Sequence, residues 1–220
     1  MPKIEIHNLE ELIKQNYPIE VVENLIHQVL TLSMQVKTEY PEYKNWFLTT
    51  QAPGIYDGTR NIIIAHIKDR IVGFVSLKKT AEEKKICTFY VEKKFRKNKI
   101  GTILVEKAIE YLGTEKPLIT IPLNKLNEFT RIGEKYNWEI SDIKENLYRL
   151  NNPEVIVNGE LEEKAKIIVP SKSLKKTWRI YKIYNQQKLW ENIVKNPIKQ
   201  MKKDIVKWYN NIRTCELWNN

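Results

Sequence analysis

Tyr90-Val91-Glu92-Lys93-Lys94-Phe95-Arg96-Lys97-Asn98-Lys99-Ile100-Gly101-Thr102 joins two kinds of periodicity. Upstream, Ile86-Cys87-Thr88-Phe89-Tyr90-Val91 is short, apolar and rich in β-branched and aromatic residues, as a strand requires. Downstream, Leu104, Ala108 and Tyr111/Leu112 recur at helical spacing, and Gly113 supplies a stop. The segment therefore reads as a strand, a basic loop and a helix starting near Gly101. A helix N-terminus presents unpaired backbone N–H groups and a partial positive charge, which suits phosphate or pyrophosphate. Gly101 removes a side chain where a ligand would come closest, and Arg96, Lys97 and Lys99 add charge. On these residues alone a second reading stays open: solvated lysines, with Gly101 easing the turn.

Working outward, Asn61–Ile67 and Ile71–Leu77 flank the polar turn Lys68-Asp69-Arg70 and predict a hairpin. With Ile86–Val91 they predict a three-stranded antiparallel meander. Before it, Pro18 opens a helix whose Val22, Leu25, Ile26, Val29 and Leu30 form one apolar stripe. Asn8 and Asn16 are candidate caps for short N-terminal helices. Residues 41–58 are turn-rich and predict an irregular segment anchored by Trp46-Phe47. After the central helix, Leu118–Pro122 predicts a strand, and Leu126, Phe129 and Ile132 a short helix. Trp138–Ile140 and Leu147–Leu150 predict two short strands, and residues 154–169 a hairpin turning at Asn158-Gly159.

This element order, with the loop Arg96-Lys97-Asn98-Lys99-Ile100-Gly101-Thr102, resembles the GNAT superfamily of acetyl-CoA-dependent N-acetyltransferases over about residues 20–150. The Ile71–Leu77 and Ile86–Val91 segments look like that family's third and fourth strands. Arg96 takes the first place of its Arg/Gln-x-x-Gly-x-Gly/Ala loop, Gly101 the last, and Lys99 replaces the first glycine. The resemblance implies an α/β (α+β) fold: a mixed, mainly antiparallel central sheet flanked by helices. It implies that the backbone of Phe89, Tyr90 and Val91 holds the pantetheine arm of acetyl-CoA. The amides of Lys97, Asn98, Lys99, Ile100, Gly101 and Thr102 would hold the pyrophosphate. Catalysis would be direct attack of a primary amine on the thioester. The family's Tyr-x-x-x-Gly-Phe pattern aligns with Gly133–Trp138, so the usual tyrosine acid falls on Gly133 and Tyr136 becomes the nearest phenol. A half-buried structural tyrosine is the competing reading of Tyr136.

Other chemistry finds little support in the sequence. His7, His27 and His66 are scattered, so no metal site is expected. His27 lies off the apolar stripe and reads as solvated, His66 as a surface residue, and Cys87 as a core residue. Glu92 reads as a solvated glutamate. Two cysteines do not make a disulfide framework and suit a reducing compartment. No run of about 18 apolar residues predicts a membrane span, and the first residues lack a secretory pattern. A cytoplasmic protein is the expectation.

The formal net charge is +10, and it is concentrated. Residues 171–220 carry twelve Lys+Arg against three Asp+Glu, with four of the six tryptophans, so the rest is near neutral. The expected division is a GNAT-like domain over 1–170 and a basic, aromatic helical extension over 171–220. Ile198, Met201, Ile205, Trp208, Ile212 and Cys215 alternate three- and four-residue spacings as one apolar seam. Three readings stand: helices packed on the body or on a second copy, nucleic-acid binding (tRNA included), and attachment to an anionic membrane surface. An amine-bearing substrate is the expected partner of the body. The rival to the enzyme reading is a nucleic-acid-associated protein that kept the fold with altered or lost activity.

Overall fold

The computed structural model describes residues 3–161. The extension at 171–220 lies outside the described residues, as does the second half, 162–169, of the hairpin proposed over 154–169. Seven strands form one sheet in the order β1-β2-β3-β4-β5-β7-β6. They are β1 (Ile4–Asn8), β2 (Arg60–Ile67), β3 (Arg70–Lys79), β4 (Lys84–Val91), β5 (Leu118–Pro122), β6 (Ile140–Lys144) and β7 (Glu154–Val157). Every pairing is antiparallel except β4 with β5, which is parallel. The expected meander is β2-β3-β4, and Lys68 turns its first hairpin with φ 55°.

Helices cover both faces. On one lie α1 (Leu9–Lys14), α2 (Ile19–Ser33), α3 (Tyr43–Trp46) and α4 (Ala52–Asp57); on the other lies α5 (Ile100–Leu112), followed later by the short α6 (Thr130–Lys135). This two-sided cover explains why β2 is an unbroken apolar run. Ile62 and Ile64 pack towards α2, and Ile63 and Ala65 towards α5. The predicted α2 stripe is buried throughout, with Val22, Ile26, Val29 and Leu30 fully enclosed. Burying each such side chain contributes roughly 1.5–3 kcal/mol relative to exposure. Pro18 stands one position earlier than expected, as the N-cap.

Asn8 caps α1, accepting from the Glu11 N–H at 3.3 Å. Asn61 ties that helix to β2: its Oδ1 accepts from the Glu10 N–H at 3.1 Å, and its Nδ2 donates to Asn8 Oδ1 at 2.6 Å. The pairing partner this gives β1 was not legible from Ile4–Asn8 alone.

Four expectations need correction. Residues 41–58 are helical: α3 runs into a π-turn over Phe47–Gln51 and then α4. Pro53 has no N–H to give to the preceding turn and would crowd its carbonyls, and the wide turn gives the ring room. Leu147–Leu150 is a turn, because Asn146 and Asn151 take φ 57° and 58° and Asn146 Oδ1 accepts from the Asn151 N–H at 2.8 Å. His27 is buried at 1% exposure and not solvated, because α2 is enclosed beyond its apolar stripe; burial pushes its pKa well below the usual imidazole value. The strand proposed at Trp138 begins at Ile140.

The seat of α5 against the sheet depends on Gly73. A Cβ there would lie 3.1 Å from the Tyr90 carbonyl oxygen and 3.2 Å from Leu104 and Val91 side-chain atoms. Since one of these is backbone, it cannot rotate away. Gly73→Ala is expected to cost about 1–3 kcal/mol, read as a lower denaturant midpoint with the m-value unchanged.

Candidate functional site

The site is built where β4 and β5 part. Their ladder holds at Lys85↔Leu118 and Ile86↔Ile119 only, and no pair follows. β4 continues on its other side along β3, through Val75↔Phe89, Phe74↔Tyr90 and Gly73↔Val91. The Glu92 N–H donates to the Val72 carbonyl at 2.9 Å, which sets the alternation of this ladder. Tyr90 therefore turns its backbone groups to β3, while Phe89 and Val91 turn theirs into the gap. One of those groups is already used: Arg96 Nε donates to the Val91 carbonyl at 3.1 Å. The Arg96 Nη1 meets Glu128 at 3.3 Å.

β4 also carries a bulge. Ser76 faces Thr88 and Leu77 faces Ile86, so Cys87 is the extra residue. The bulge turns Cys87 towards the cavity that Thr88 also lines, instead of into the core. The core assignment of Cys87 is thus corrected: it is partly exposed on the cavity wall.

Past β4, the basic loop leads to the N-terminus of α5. Lys97 and Lys99 take φ 67° and 61°. The position where Lys99 replaces a glycine is thus left-handed, and a lysine adopts it. No side chain caps α5 at Lys99, and its first turn holds no acid. The early amides of α5, Gly101 and Thr102 among them, have no intrahelical acceptor. The missing side chain of Gly101 faces β4, where a Cβ would lie 3.2 Å from the Phe89 ring. Glu92 is not free in solvent, since it pairs with Arg70.

A small cavity of about 60 Å³ occupies the gap itself, between Phe89 on β4 and Ile119–Pro122 on β5. It adjoins a larger one of about 680 Å³. Tyr40, Cys87, Thr88 and Thr120 line both. The larger cavity is walled by Tyr43 and Trp46 of α3 and by Tyr148 of the loop before β7. Tyr148 meets Tyr40 edge-on, ring centroids 5.3 Å apart.

Behind this wall, Glu154 of β7 is 1% exposed. Burial raises its carboxyl pKa to about 7; nearby Tyr40, Lys85 and Lys125 partly offset this, and Glu39 adds to it. Neither Glu154 oxygen meets a donor at ordinary hydrogen-bond distance, and the Tyr40 phenol is the group placed to reach it. The phenol of Tyr40 is itself pushed up, chiefly by burial and then by the charge of Glu154.

Tyr136 lines neither cavity. It closes α6, and Lys135 Nζ stands 4.9 Å from its ring centroid. The Asn137-Trp138 pair keeps a glycine-type helix stop. Asn137 takes φ 50°, and the Trp138 N–H donates to the Gly133 carbonyl at 2.8 Å. His66 lies beside His7, ring centroids 5.3 Å apart, and burial lowers its pKa to about 4. Arg60, Tyr40, Thr120, Tyr148 and Glu154 were not legible as site residues. They come from five separate segments, and none sits in a motif.

Residues 23–122 match the sequence pattern of the Acetyltransferase (GNAT) family. No curated protein matches the chain. Among solved structures, a GNAT-family protein from Desulfovibrio desulfuricans aligns with a TM-score of 0.51 at 12% identity, covering 70% of this chain and 97% of that one. An IAA acetyltransferase from Bacillus cereus covers the same shares at 11% identity and a TM-score of 0.46. A GNAT-family acetyltransferase from Elizabethkingia anophelis with acetyl-CoA bound gives 20% identity and a TM-score of 0.39, covering 48% of this chain and 79% of that one. The fold is GNAT-like: a mixed, mainly antiparallel sheet with helices on both faces. Among the described residues no helix is long and apolar enough to cross a membrane.

Two predictions follow from the local geometry. Lys99→Gly relieves a left-handed lysine and is expected to raise stability by roughly 0.5–1 kcal/mol, net of the extra unfolded-chain freedom of glycine. Equilibrium denaturation checks it. Glu154 binds its proton more tightly folded than unfolded, so its contribution is full below pH 4.5 and is lost as pH rises through about 7. Glu154→Gln has no such loss, so its melting temperature should gain on the wild type between pH 5 and pH 8.

Proposed function

We propose that the protein transfers the acetyl group of acetyl-CoA to a primary amine. One observation carries this reading: β4 and β5 separate beside an uncapped, acid-free helix N-terminus, and the gap adjoins a cavity large enough for a second substrate. The residues fit the coenzyme. The outward backbone of Phe89 and Val91 suits an extended pantetheine arm laid like a further strand. The amides from Lys97 through Asn98, Lys99 and Ile100 to Gly101 and Thr102 suit paired phosphates, with the positive charges of Lys97 and Lys99 beside them. Acetyl-CoA supplies an activated acyl carbon on a good leaving group.

The chain's own groups supply the rest. The amine must lose a proton before it attacks, and a buried carboxyl tuned near neutrality suits that task. In this reading Glu154 takes the proton by way of the Tyr40 phenol, which lines both cavities. The amine nitrogen forms its bond to the acyl carbon, the carbon–sulfur bond breaks, and the thiolate takes up a proton. For that last transfer Tyr40 is better situated than Tyr136, because Tyr40 lines both cavities and Tyr136 borders neither. Thr88 and Thr120 line the junction of the two cavities and suit the task of positioning the amine.

The basic residues 171–220 suit an acidic macromolecular partner, nucleic acid included, or a second copy of the chain. Both rest on composition.

Titration calorimetry tests the central reading. Acetyl-CoA is expected to bind in the micromolar range, and Gly101→Glu to weaken it at least about tenfold, because its side chain would press on Phe89 of the strand that borders the gap and bring a carboxylate into the first turn of α5. No binding by a folded wild-type protein would sink the reading.

A further inference from the structure

Arg60 begins β2, and its side chain is carried under α4 into the larger cavity. It is 6% exposed. Its stem lies on Gly54, where a Cβ would come within 2.8 Å of its Cγ and Cδ. Its guanidinium lies over Trp46, 5.6 Å from the ring centroid. The head donates only to neutral acceptors, both from Nη1: to Gln51 Oε1 at a long 3.4 Å and to Cys87 Sγ at 3.5 Å. Among the described residues no carboxylate pairs with it, although ten other ion pairs are made.

A buried cation without a counter-charge is costly. Surface lysines elsewhere on the chain find carboxylates; this enclosed arginine, with five donors in a rigid fork, does not. The rest of the cavity does not supply the missing charge. Lys85 and Lys144 also line it, against Glu42, which is exposed at its rim. Glu154 lies behind the wall, where Lys85 and Lys125 already act on it. The lining therefore carries three cations, Arg60, Lys85 and Lys144, against the single carboxylate of Glu42. Its walls are aromatic: Tyr40, Tyr43, Trp46 and Tyr148.

We infer that the acceptor is a primary amine that also bears a carboxylate, held by the Arg60 guanidinium, with an apolar or planar body against the aromatic wall. This rests on the acetyl-transfer reading and adds the substrate class. The geometry suits it, because Cys87 is shared: its sulfur is 3.5 Å from Arg60 Nη1, and the same residue borders the strand gap. A carboxylate on Arg60 thus sets an amine a few atoms away beside the gap. A planar guanidinium matches a carboxylate in two-point contact, which a lysine does not reproduce. An amine lacking the acid group leaves the arginine buried and unpaired, so the site discriminates against it.

Matched pairs test the inference: tyrosine against tyramine, tryptophan against tryptamine and 4-aminobutyrate against butylamine. Each is measured for turnover with acetyl-CoA and for binding to the CoA-loaded protein. The carboxylate member of at least one pair is expected to show a roughly 10- to 100-fold lower KM and Kd, the range of a charge-assisted hydrogen bond. Arg60→Gln should erase that preference and leave acetyl-CoA affinity unchanged, while Arg60→Lys retains only part of it. Melting temperatures of both variants report whether they fold; the wild-type comparison stands without them. Equal or tighter binding of the uncharged-tail amines, or no binding of any member, overturns the inference. So does a folded Arg60→Gln with an intact preference. Failure of acetyl-CoA itself to bind counts instead against the acetyl-transfer reading.

Discussion

The parting of β4 from β5 is the constraint on which the rest depends. Two parallel strands hold together for two residue pairs and then diverge. Backbone groups that a continuous sheet would satisfy are left facing a gap, and a buried unpaired backbone group is costly. Arg96 answers part of that cost at the Val91 carbonyl. The remainder suits a ligand that can act as a strand. The same divergence seats the N-terminus of α5 beside the gap, so one geometric event creates both the slot and the row of uncapped helix amides at its end.

The bulge at Cys87 and the turn at Gly101 are consequences at side-chain scale. The bulge takes Cys87 out of the alternation and adds it to the cavity wall that Thr88 lines. The absent side chain at Gly101 lets the helix approach the Phe89 ring. Lys99 then carries a backbone conformation better suited to glycine. The loop keeps its path at a local conformational cost, a trade found where a chain must present amides to a ligand.

The charge layout separates two tasks. Around the start of α5 the cations are exposed, which suits a solvated polyanion. In the larger cavity the Arg60 guanidinium is buried over Trp46 and, among the described residues, pairs with no carboxylate, which suits a desolvated oxyanion. Glu154 lies behind the cavity wall, and its burial raises its carboxyl pKa to about 7.

The sequence by itself determined the elements whose signal is periodic. The α2 stripe, the β2–β3 hairpin, β4, α5 with its Gly113 stop, and β5 each need only a few neighbouring residues to declare themselves, since amphipathic spacing and turn chemistry are local. It also determined the basic loop, because strand, cations and helix start are contiguous. The tertiary structure alone decided the rest. Residues 41–58 became helical because Phe47, Leu48 and Ile55 are buried against the sheet, which outweighs their turn-forming neighbours. Cys87 reached the cavity through a bulge that no residue type announces. Arg60, Tyr40, Tyr148 and Glu154 became one neighbourhood only when strands distant in sequence paired, with β7 set between β5 and β6. Burial, and with it the cost of an unpaired charge, is a property of that assembly and is written in no short stretch of chain.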